Sequence, residues 1–394
     1  MSPRQLKAGF FVLEWLNIYA VVYYFNYVFF HLRTEFGFGN RENLAFAAAN
    51  GFLYIFASWF AGKFAQRRGY FTALYLGFGA MAVALGAGCF LRTLPGEIAV
   101  MLLWTIGTCF TWPTLEALTS EGESRKGLVK MLGIYNVVWA GGAALAYFSG
   151  GALMEQLGPR SLFWFPAILH TVQFALTLWL HRRSKMSPHH VPAETSPDAD
   201  EPPPATPATA KTFLRLAWLA NPFAYIAMNT LVPLIPELAI KMNLSTSEAG
   251  FVASIWMFAR FFAFTGLWFW TGWHYRFGWL MTAYVAMIVS FAALLLVPDL
   301  VVIVTAQLVF GFAVGLIYYS SLFYSMDVGD TKGEHGGFHE ALIGIGLFGG
   351  PAVGALTLQL LPAAPNAGIW AVSTLLVIGM LLLLQLRKHR WGDV

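Results

Sequence analysis

The chain has 394 residues and a net charge of +4, with 58% hydrophobic residues and only 11% charged residues. Because soluble domains carry about 25% charged residues, this composition excludes a soluble enzyme, a disordered chain and a nucleic-acid-binding protein. The two cysteines, Cys89 and Cys109, exclude a disulfide framework and a cysteine-based metal site, and the apolar majority is typical of a protein in the lipid bilayer.

Twelve apolar runs are long enough to cross a bilayer, which takes about 20 residues in a helix. No run alternates between polar and apolar residues as barrel strands do, so helices must satisfy the backbone hydrogen bonds. The first run lacks a small-residue cleavage site, and we expect a span there and not a removed signal peptide. We therefore predict an all-α membrane protein with twelve transmembrane helices. The predicted spans are approximately 9–31, 43–65, 71–91, 98–120, 128–153, 160–181, 213–238, 248–270, 277–297, 300–325, 337–361 and 367–387.

A segment rich in proline and acidic residues separates the sixth and seventh spans. Residues 184–210 include seven prolines and four acidic residues, a composition that cannot form a core or a span. We predict a cytoplasmic linker at 184–211, between an N-terminal six-helix bundle at 1–183 and a C-terminal one at 212–394. The pair His189–His190 in this linker could bind a metal, but solvated linker histidines are the favoured interpretation, and no metal site is predicted.

The distribution of lysine and arginine predicts the orientation. Eighteen of the 24 lie in segments on the side of the chain termini, five lie in segments on the opposite side, and Arg260 lies inside a span. Positive residues accumulate on the cytoplasmic side of membrane proteins, so both termini are expected in the cytoplasm. The short loops are typical of a bacterial protein. We expect a monomer in the bacterial inner membrane.

The two halves of the chain share a weak internal repeat. Asn26 in the first span matches Asn229 in the seventh at an offset of 203 residues, and residues 133–136 match 336–339 at the same offset. Repeated halves of this kind place the substrate site near the bilayer midplane, between the halves. The sequence therefore predicts two pseudo-symmetric six-helix bundles.

The loop after the second span carries a recognisable motif. The segment Gly62-Lys-Phe-Ala-Gln-Arg-Arg-Gly69 resembles the signature loop of the major facilitator superfamily, in which glycines flank an acidic and a basic residue at set spacing. Gln66 stands where that family usually has aspartate, and the second half keeps a shorter copy. The residues assigned to the gating loop and its copy are Gly62, Arg67, Gly69, Arg276 and Gly278.

The resemblance implies two bundles that rock about a central cavity and expose it to each side of the membrane in turn. The glycine-rich eleventh span with Pro351, and the glycine pairs of the fifth span, resemble the Gly-Pro motif of the family's antiporters. The alternative explanation is close packing of helices through small residues.

Five polar or charged residues in or next to predicted spans suggest a role in coupling, because such groups are costly in lipid. Carboxyl and imidazole groups exchange protons readily, so Glu14, Glu116, His339 and Glu340 are the candidate proton-coupling residues. The alternatives for these four are positions at the wet helix ends. Arg260 keeps its proton and requires a carboxylate or an anionic solute as partner; a structural ion pair is the alternative.

Polar stripes indicate which faces line a cavity. Glu14, Asn17, Tyr24 and His31 share one face of the first span, and Asn26 lies on a second face. In the family that the loop resembles, spans one, four, seven and ten line the cavity. The predicted cavity residues are Asn17, Tyr24, Asn26, Trp112, Asn136, Tyr225, Asn229, Trp256, Arg260 and Tyr318.

The sequence contains no phosphate-binding loop, ligand set or catalytic triad, so we expect neither an enzyme nor a cofactor. The favoured function is secondary active transport of a small organic solute by alternating access, coupled to protons, with export of amphipathic or aromatic compounds preferred. Import or facilitated diffusion of a polar metabolite or an organic anion is the second interpretation, and Arg260 supports it. A non-transporting receptor or lipid-handling protein with the same fold is the third. The expected partners are the solute, protons and the lipid bilayer.

The charge distribution gives a direct test of orientation. In a background with both native cysteines replaced by serine, a membrane-impermeant maleimide applied from outside is expected to label Asn243→Cys and to spare Thr195→Cys. The reverse pattern of labelling would contradict the orientation.

Overall fold

The structure is a computed structural model that describes residues 2–123, 125–185, 207–328 and 332–391. Most of the predicted linker at 184–211, including His189 and His190, lies outside the described residues. The backbone of His339 is described, but its side chain is not.

Fourteen α-helices form the described part of the chain, and no strand occurs there. Two spans are interrupted. In one, a 3₁₀ turn at Val232–Leu234 separates two helices at the prolines Pro233 and Pro236, which lack a backbone donor. In the next, one helix ends at Ala253 and another begins at Ile255. The helices are α1 (Pro3–Phe36), α2 (Asn40–Arg68), α3 (Tyr70–Gly88), α4 (Leu94–Ser120), α5 (Arg125–Leu157), α6 (Ser161–Lys185), α7 (Pro207–Leu231), α8 (Ile235–Lys241), α9 (Thr246–Ala253), α10 (Ile255–Phe269), α11 (Phe277–Leu296), α12 (Leu300–Val328), α13 (Lys332–Leu360) and α14 (Ala367–Trp391).

These helices confirm the predicted number of spans. Twelve segments in the described residues are long and apolar enough to cross a membrane, with mean hydropathy from 1.4 to 2.5. Helices α1 to α6 are the first six spans, α7 with α8 forms the seventh, α9 with α10 forms the eighth, and α11 to α14 are the last four. The protein is therefore an all-α membrane protein with twelve transmembrane helices.

The spans pack as two six-helix bundles. In the first, α3 packs on α4 and α6, and α1 packs on α5 and α6; in the second, α10 packs on α12, and α7 packs on α12, α13 and α14. The bundles contact each other along two seams, α2 against α13 and α5 against α9 and α10. The space between these seams is where a central cavity can form.

Glycines allow the closest helix approaches. A Cβ atom at Gly51 would lie 2.4 Å from the backbone carbonyl carbon of Leu347 across the α2–α13 seam, and one at Gly311 would lie 2.1 Å from the backbone oxygen of Trp256. Backbones in contact at these points leave no room for any side chain. Close helix packing therefore explains part of the glycine content of the chain. Small residues are common where membrane helices contact each other.

Polar contacts join the bundles at one end of the molecule, which we call the far end because it lies opposite the N-terminus of α1. The Arg33 Nη2 group donates to Glu237 Oε2 at 2.6 Å, and the Ser247 backbone N–H donates to Glu155 Oε1 at 3.0 Å. In each pair one residue belongs to the first bundle and the other to the second. The bundles are thus held together at the far end.

The glycine contacts predict a difference between two otherwise similar substitutions. Gly311→Ala places a methyl group against backbone and is expected to lower the free energy of unfolding by about 1–3 kcal/mol. Gly266→Ala has nothing within 4 Å of its added Cβ and is expected to cause no loss. Thermal unfolding of the purified protein in detergent measures both variants, and equal stabilities would contradict the packing.

Candidate functional site

A partly open cavity lies between the two bundles, and the space within it, including its opening to solvent, is about 1040 Å³. Helices α1, α2, α4 and α5 of the first bundle contribute to its wall, as do α7, α10, α12 and α13 of the second. Its position agrees with a site between the repeated halves. Of the residues predicted at a cavity or in coupling, those that line it are Asn26, Trp112, Glu116, Tyr225, Asn229, Trp256, Arg260, Tyr318 and Glu340.

Three residues that the sequence placed at the cavity do not line it. Asn17, Tyr24 and Asn136 are buried within the packed helices instead. Asn17 Nδ2 donates to Thr111 Oγ1 of α4 at 3.1 Å, and the Tyr24 ring packs on that of Trp104 with centroids 4.9 Å apart. For the two residues of α1, the reason is the rotation of the helix about its own axis. The face with Asn26 points to the cavity, and the face with Asn17 and Tyr24 packs into the first bundle.

Glu14 belongs to the inward face of α1 and is fully buried. It does not line the cavity, although Tyr135, which does, lies beside it. Neither carboxyl oxygen of Glu14 makes a hydrogen bond of standard geometry with the described residues. Glu14 therefore lies behind the cavity wall and not in it.

Arg260 is the only arginine or lysine among the described residues that line the cavity, and it is 1% exposed. Aromatic rings surround its guanidinium carbon, which lies 4.6 Å from the ring centroid of Trp139, 4.9 Å from that of Tyr318 and 5.1 Å from that of Phe264. Each such contact contributes about 2 kcal/mol when the charge is desolvated. The rings therefore hold the cation in place.

The guanidinium of Arg260 nevertheless lacks an anionic partner in the described part of the chain. Its Nη1 group contacts Met228 Sδ at 3.5 Å, and the Tyr225 hydroxyl lies beside the guanidinium. Nε and Nη2 make no hydrogen bond of standard geometry with the described residues. None of Glu14, Glu116 and Glu340 forms an ion pair with it. The carboxylate pairing considered from the sequence is therefore not observed for these three residues.

The two unpaired nitrogens define a binding edge. Nε and Nη2 lie on the same edge of the planar guanidinium group, where a carboxylate can accept two parallel hydrogen bonds. A buried charge without a hydrogen-bonded anionic partner destabilises the protein by several kcal/mol. The three ring faces offset only part of this cost. An anion that enters the cavity would therefore bind favourably at this edge.

Glu340 links the two bundles through the cavity. The Tyr54 hydroxyl group on α2 donates to Glu340 Oε2 on α13 at 2.6 Å. Both side chains are buried, and both line the cavity with Glu116. A change in the protonation of Glu340 would alter this contact between the bundles.

Sequence reasoning missed several cavity residues. Tyr54, Trp104, Tyr135 and Trp139 all line the cavity, and none was singled out for it. Tyr135 and Trp139 lie four residues apart on the fifth span, a spacing that would have placed them on one face. Tyr54 lies in a span with many aromatic residues, and nothing in the pattern separates it from the others.

The predicted gating loop is a tight connection between α2 and α3. Gly69 joins the two helices with φ 95°, a conformation that favours glycine. Arg67 is exposed in the last turn of α2, where a cation complements the helix dipole. In the second half, Arg276 precedes α11 and Gly278 lies in its first turn.

Two six-helix bundles around a central cavity are the architecture of a class of membrane transporters. The family model described as Major Facilitator Superfamily matches residues 10–351, and the chain belongs to this superfamily. This confirms the resemblance seen in the loop after the second span.

Solved structures agree on the fold. The nucleoside transporter NupG has a TM-score of 0.71 and 15% sequence identity, over 97% of this chain and 99% of that chain. The human organic anion transporter MFSD10 (TETRAN) has a TM-score of 0.68 and 14% identity, over 97% of this chain and 100% of that chain. At these identities the likeness establishes the fold alone. No curated protein matches the chain in sequence.

The Tyr54–Glu340 contact predicts how easily the α2–α13 seam opens. A hydrogen bond contributes about 0.5–1.5 kcal/mol, and up to about 3 kcal/mol when its acceptor is ionised, so Tyr54→Phe should expose the nearby buried thiol of Cys109 about tenfold more often. The measurement is the rate of maleimide labelling of Cys109 in a Cys89→Ser background.

Tyr75→Phe is the matched control. It removes a hydroxyl group of similar geometry, 2.8 Å from His181 Nδ1 within the first bundle, and should leave the labelling rate of Cys109 unchanged. Equal rates in the two variants would show that the seam does not depend on Tyr54.

Proposed function

We propose that this superfamily member is a secondary active transporter that moves a small organic anion with an aromatic or apolar body together with a proton. The observation that carries the proposal is the unpaired Nε–Nη2 edge of Arg260 on the wall of the cavity between the bundles. The superfamily supplies the class of transporter. The chemistry of the cavity supplies the class of solute.

The charge of the solute follows from Arg260. Its guanidinium is buried, keeps its proton at any physiological pH and lacks a carboxylate partner among the described residues. A neutral solute would leave this charge uncompensated, whereas a carboxylate can accept hydrogen bonds from both free nitrogens. The proposal therefore favours an organic anion.

The other residues of the cavity wall indicate the chemistry of the uncharged part of the solute. Four tryptophans line the cavity, together with Phe25 and several tyrosines, so a flat apolar group can stack against aromatic faces. The tryptophans are Trp104, Trp112, Trp139 and Trp256.

Coupling to protons follows from the two carboxyl groups that share the cavity with Arg260. If both Glu116 and Glu340 are ionised, an anion meets more negative than positive charge; if both are protonated, it meets only the positive charge of Arg260. Anion binding and protonation therefore favour each other, and this linkage is reciprocal. An anion and a proton should accordingly cross in the same direction.

Alternating access requires that the far end opens and closes. The Arg33–Glu237 ion pair and the Glu155–Ser247 hydrogen bond join the bundles there, and their separation would open the cavity to that side. The Tyr54–Glu340 contact couples the α2–α13 seam to a titratable group. Proton and anion binding could thereby bias the rocking of the bundles.

Export of amphipathic or aromatic compounds, which the sequence favoured, is the second candidate, here for an uncharged compound. The aromatic wall of the cavity supports it as well as it supports an aromatic anion. The two candidates differ in the role of Arg260, which export of an uncharged compound does not require. Comparison of an aromatic acid with its amide separates them.

The charge asymmetry of the loops supports the proposed orientation, with both termini in the cytoplasm. We also propose a bacterial inner-membrane location and a monomer, in which the linker at 184–211 separates the two bundles.

The proposal predicts the effect of removing the Arg260 charge. With radiolabelled benzoate as the probe, proteoliposomes with an imposed pH gradient should take up benzoate on the alkaline side faster than protein-free liposomes, across which only undissociated benzoic acid diffuses, and should show no such increase for benzamide. Arg260→Met should lower this protein-dependent benzoate uptake about a hundredfold, because loss of a buried charge partner costs about 2–5 kcal/mol. Arg260→Lys should restore little of it, since an ammonium lacks the planar fork.

Arg183→Met serves as the matched control, since Arg183 is exposed at the end of α6. It should transport benzoate as the parent protein does. Normal benzoate uptake by Arg260→Met, with the protein correctly folded, would contradict the anion proposal. Equal uptake of benzoate and benzamide by the parent protein would favour the second candidate.

A further inference from the structure

The inward face of α1 carries a series of buried polar side chains that the cavity does not use. Glu14, Asn17, Tyr24 and His31 lie three, seven and seven residues apart, so they follow one face of the helix. Each is 1% exposed or less, and none lines the cavity. We call these four residues the α1 column.

Every member of the α1 column keeps a polar atom that makes no hydrogen bond of standard geometry with the described residues. These atoms are both carboxyl oxygens of Glu14, Oδ1 of Asn17, the hydroxyl of Tyr24 and Nδ1 of His31, although the Tyr135 hydroxyl lies beside Glu14. Buried polar groups in proteins nearly always have a partner. Bound water satisfies such groups where a polar site can hold it. The four residues mark polar positions along one helix face, with steps of about 10 Å along the axis between Asn17, Tyr24 and His31.

The far end of the α1 column meets a buried acid. His31 Nε2 lies 3.1 Å from Glu97 Oε1, and both side chains are 1% exposed. Arg160, which is 29% exposed, lies 3.6 Å from the same oxygen, so the cluster reaches towards the surface. Glu97 Oε2 has no partner among the described residues, and Tyr24 lies near enough to Glu97 for an electrostatic interaction.

The other end of the α1 column reaches the cavity wall. Glu14 faces the Tyr135 hydroxyl group on α5 and lies within electrostatic range of Glu116 on α4 and Glu340 on α13. Tyr135 lines the cavity. The column therefore approaches the solute site at a single place, through Glu14 and Tyr135.

The α1 column is nearly as long as the hydrocarbon core of a bilayer is thick. Seventeen residues separate Glu14 from His31, which at 1.5 Å per residue is about 26 Å along the helix axis. The hydrocarbon core of a bilayer is about 30 Å thick. A polar line of this length inside one bundle connects the far end of the protein with the depth at which the cavity carboxyl groups lie.

We propose that the α1 column is a proton path inside the first bundle, which carries protons between the Glu97–His31 pair and Glu14 without passing through the solute cavity. The inference rests on the proposed proton coupling and names its route. It gives the proton and the solute separate entrances that meet only at the cavity wall.

The chemistry of the path is a relay in which each group returns to its starting state. A proton held by the Glu97–His31 pair passes to bound water, the Tyr24 hydroxyl accepts one proton and releases its own, and water oriented by Asn17 and Thr111 delivers a proton to Glu14. One proton enters, one proton arrives, and no oxidant or other reactant takes part. Asn17 orients water and does not itself transfer a proton.

Substitutions in the α1 column should separate proton movement from solute movement. Proteoliposomes carry a pH dye inside, and benzoate is the probe. Tyr24→Phe and His31→Gln should keep benzoate counterflow at equal pH within about twofold of the parent rate. Benzoate-dependent proton movement should fall at least about tenfold, because each change interrupts the relay.

Tyr23→Phe is the matched control for Tyr24→Phe. Tyr23 is the neighbouring residue on α1, is equally buried, and its hydroxyl lies 2.8 Å from Ser161 Oγ on a different face. It should leave both counterflow and proton movement unchanged.

The outcomes are distinct. If Tyr24→Phe and His31→Gln both keep benzoate-dependent proton movement, the path is wrong and the proposed function stands. If they lose counterflow together with proton movement, the residues are structural and the path is overturned. If the parent protein moves benzoate without protons, the proposed coupling itself fails.

A second test does not depend on the solute. A high-resolution experimental structure should show ordered water that bridges the unpaired atoms between His31 and Glu14, and the absence of water there would overturn the path.

Discussion

The buried guanidinium of Arg260 is the constraint on which the rest of the site depends. A fixed positive charge between two membrane-spanning bundles is costly, and three aromatic faces from two bundles hold it: Trp139 belongs to α5, while Phe264 and Tyr318 belong to α10 and α12. These rings compensate the charge but cannot accept its N–H donors. The edge formed by Nε and Nη2 is therefore free for a ligand, and the proposed class of solute follows from that edge.

The two polar faces of α1 separate two tasks. One face brings Asn26 to the cavity, and the other buries Glu14 and three further polar residues inside the first bundle. Glu14 and Glu340, two candidate proton-coupling residues, thus belong to different parts of the structure. Glu340 contacts Tyr54 across the seam between the bundles, where its charge can affect their movement. In the proposed account, Glu14 supplies the proton from behind the wall.

The sequence was sufficient to predict the fold because the patterns that specify it extend over long segments. Twelve apolar runs and the Gly62–Gly69 motif predicted the architecture, since in lipid a run of that length must be a helix. The site was predictable only in part. Periodicity placed Asn17 and Asn26 on two polar faces of α1, but the choice of the face that meets the cavity depends on how the helix rotates against α4 and α5. That no carboxylate of the described residues pairs with Arg260 depends likewise on the relative depth of separate helices, which the sequence of each helix does not encode locally.

The central claim is that anion binding at Arg260 and protonation of the cavity carboxyl groups favour each other. Calorimetric titration of the purified protein with benzoate, in two buffers of different ionisation enthalpy at the same pH, measures the protons taken up with each anion. The account predicts an uptake of up to about one proton per benzoate bound, with Glu116→Gln and Glu340→Gln combined abolishing the uptake while benzoate still binds. Binding of benzoate with no proton exchange, or with proton release, would contradict the account.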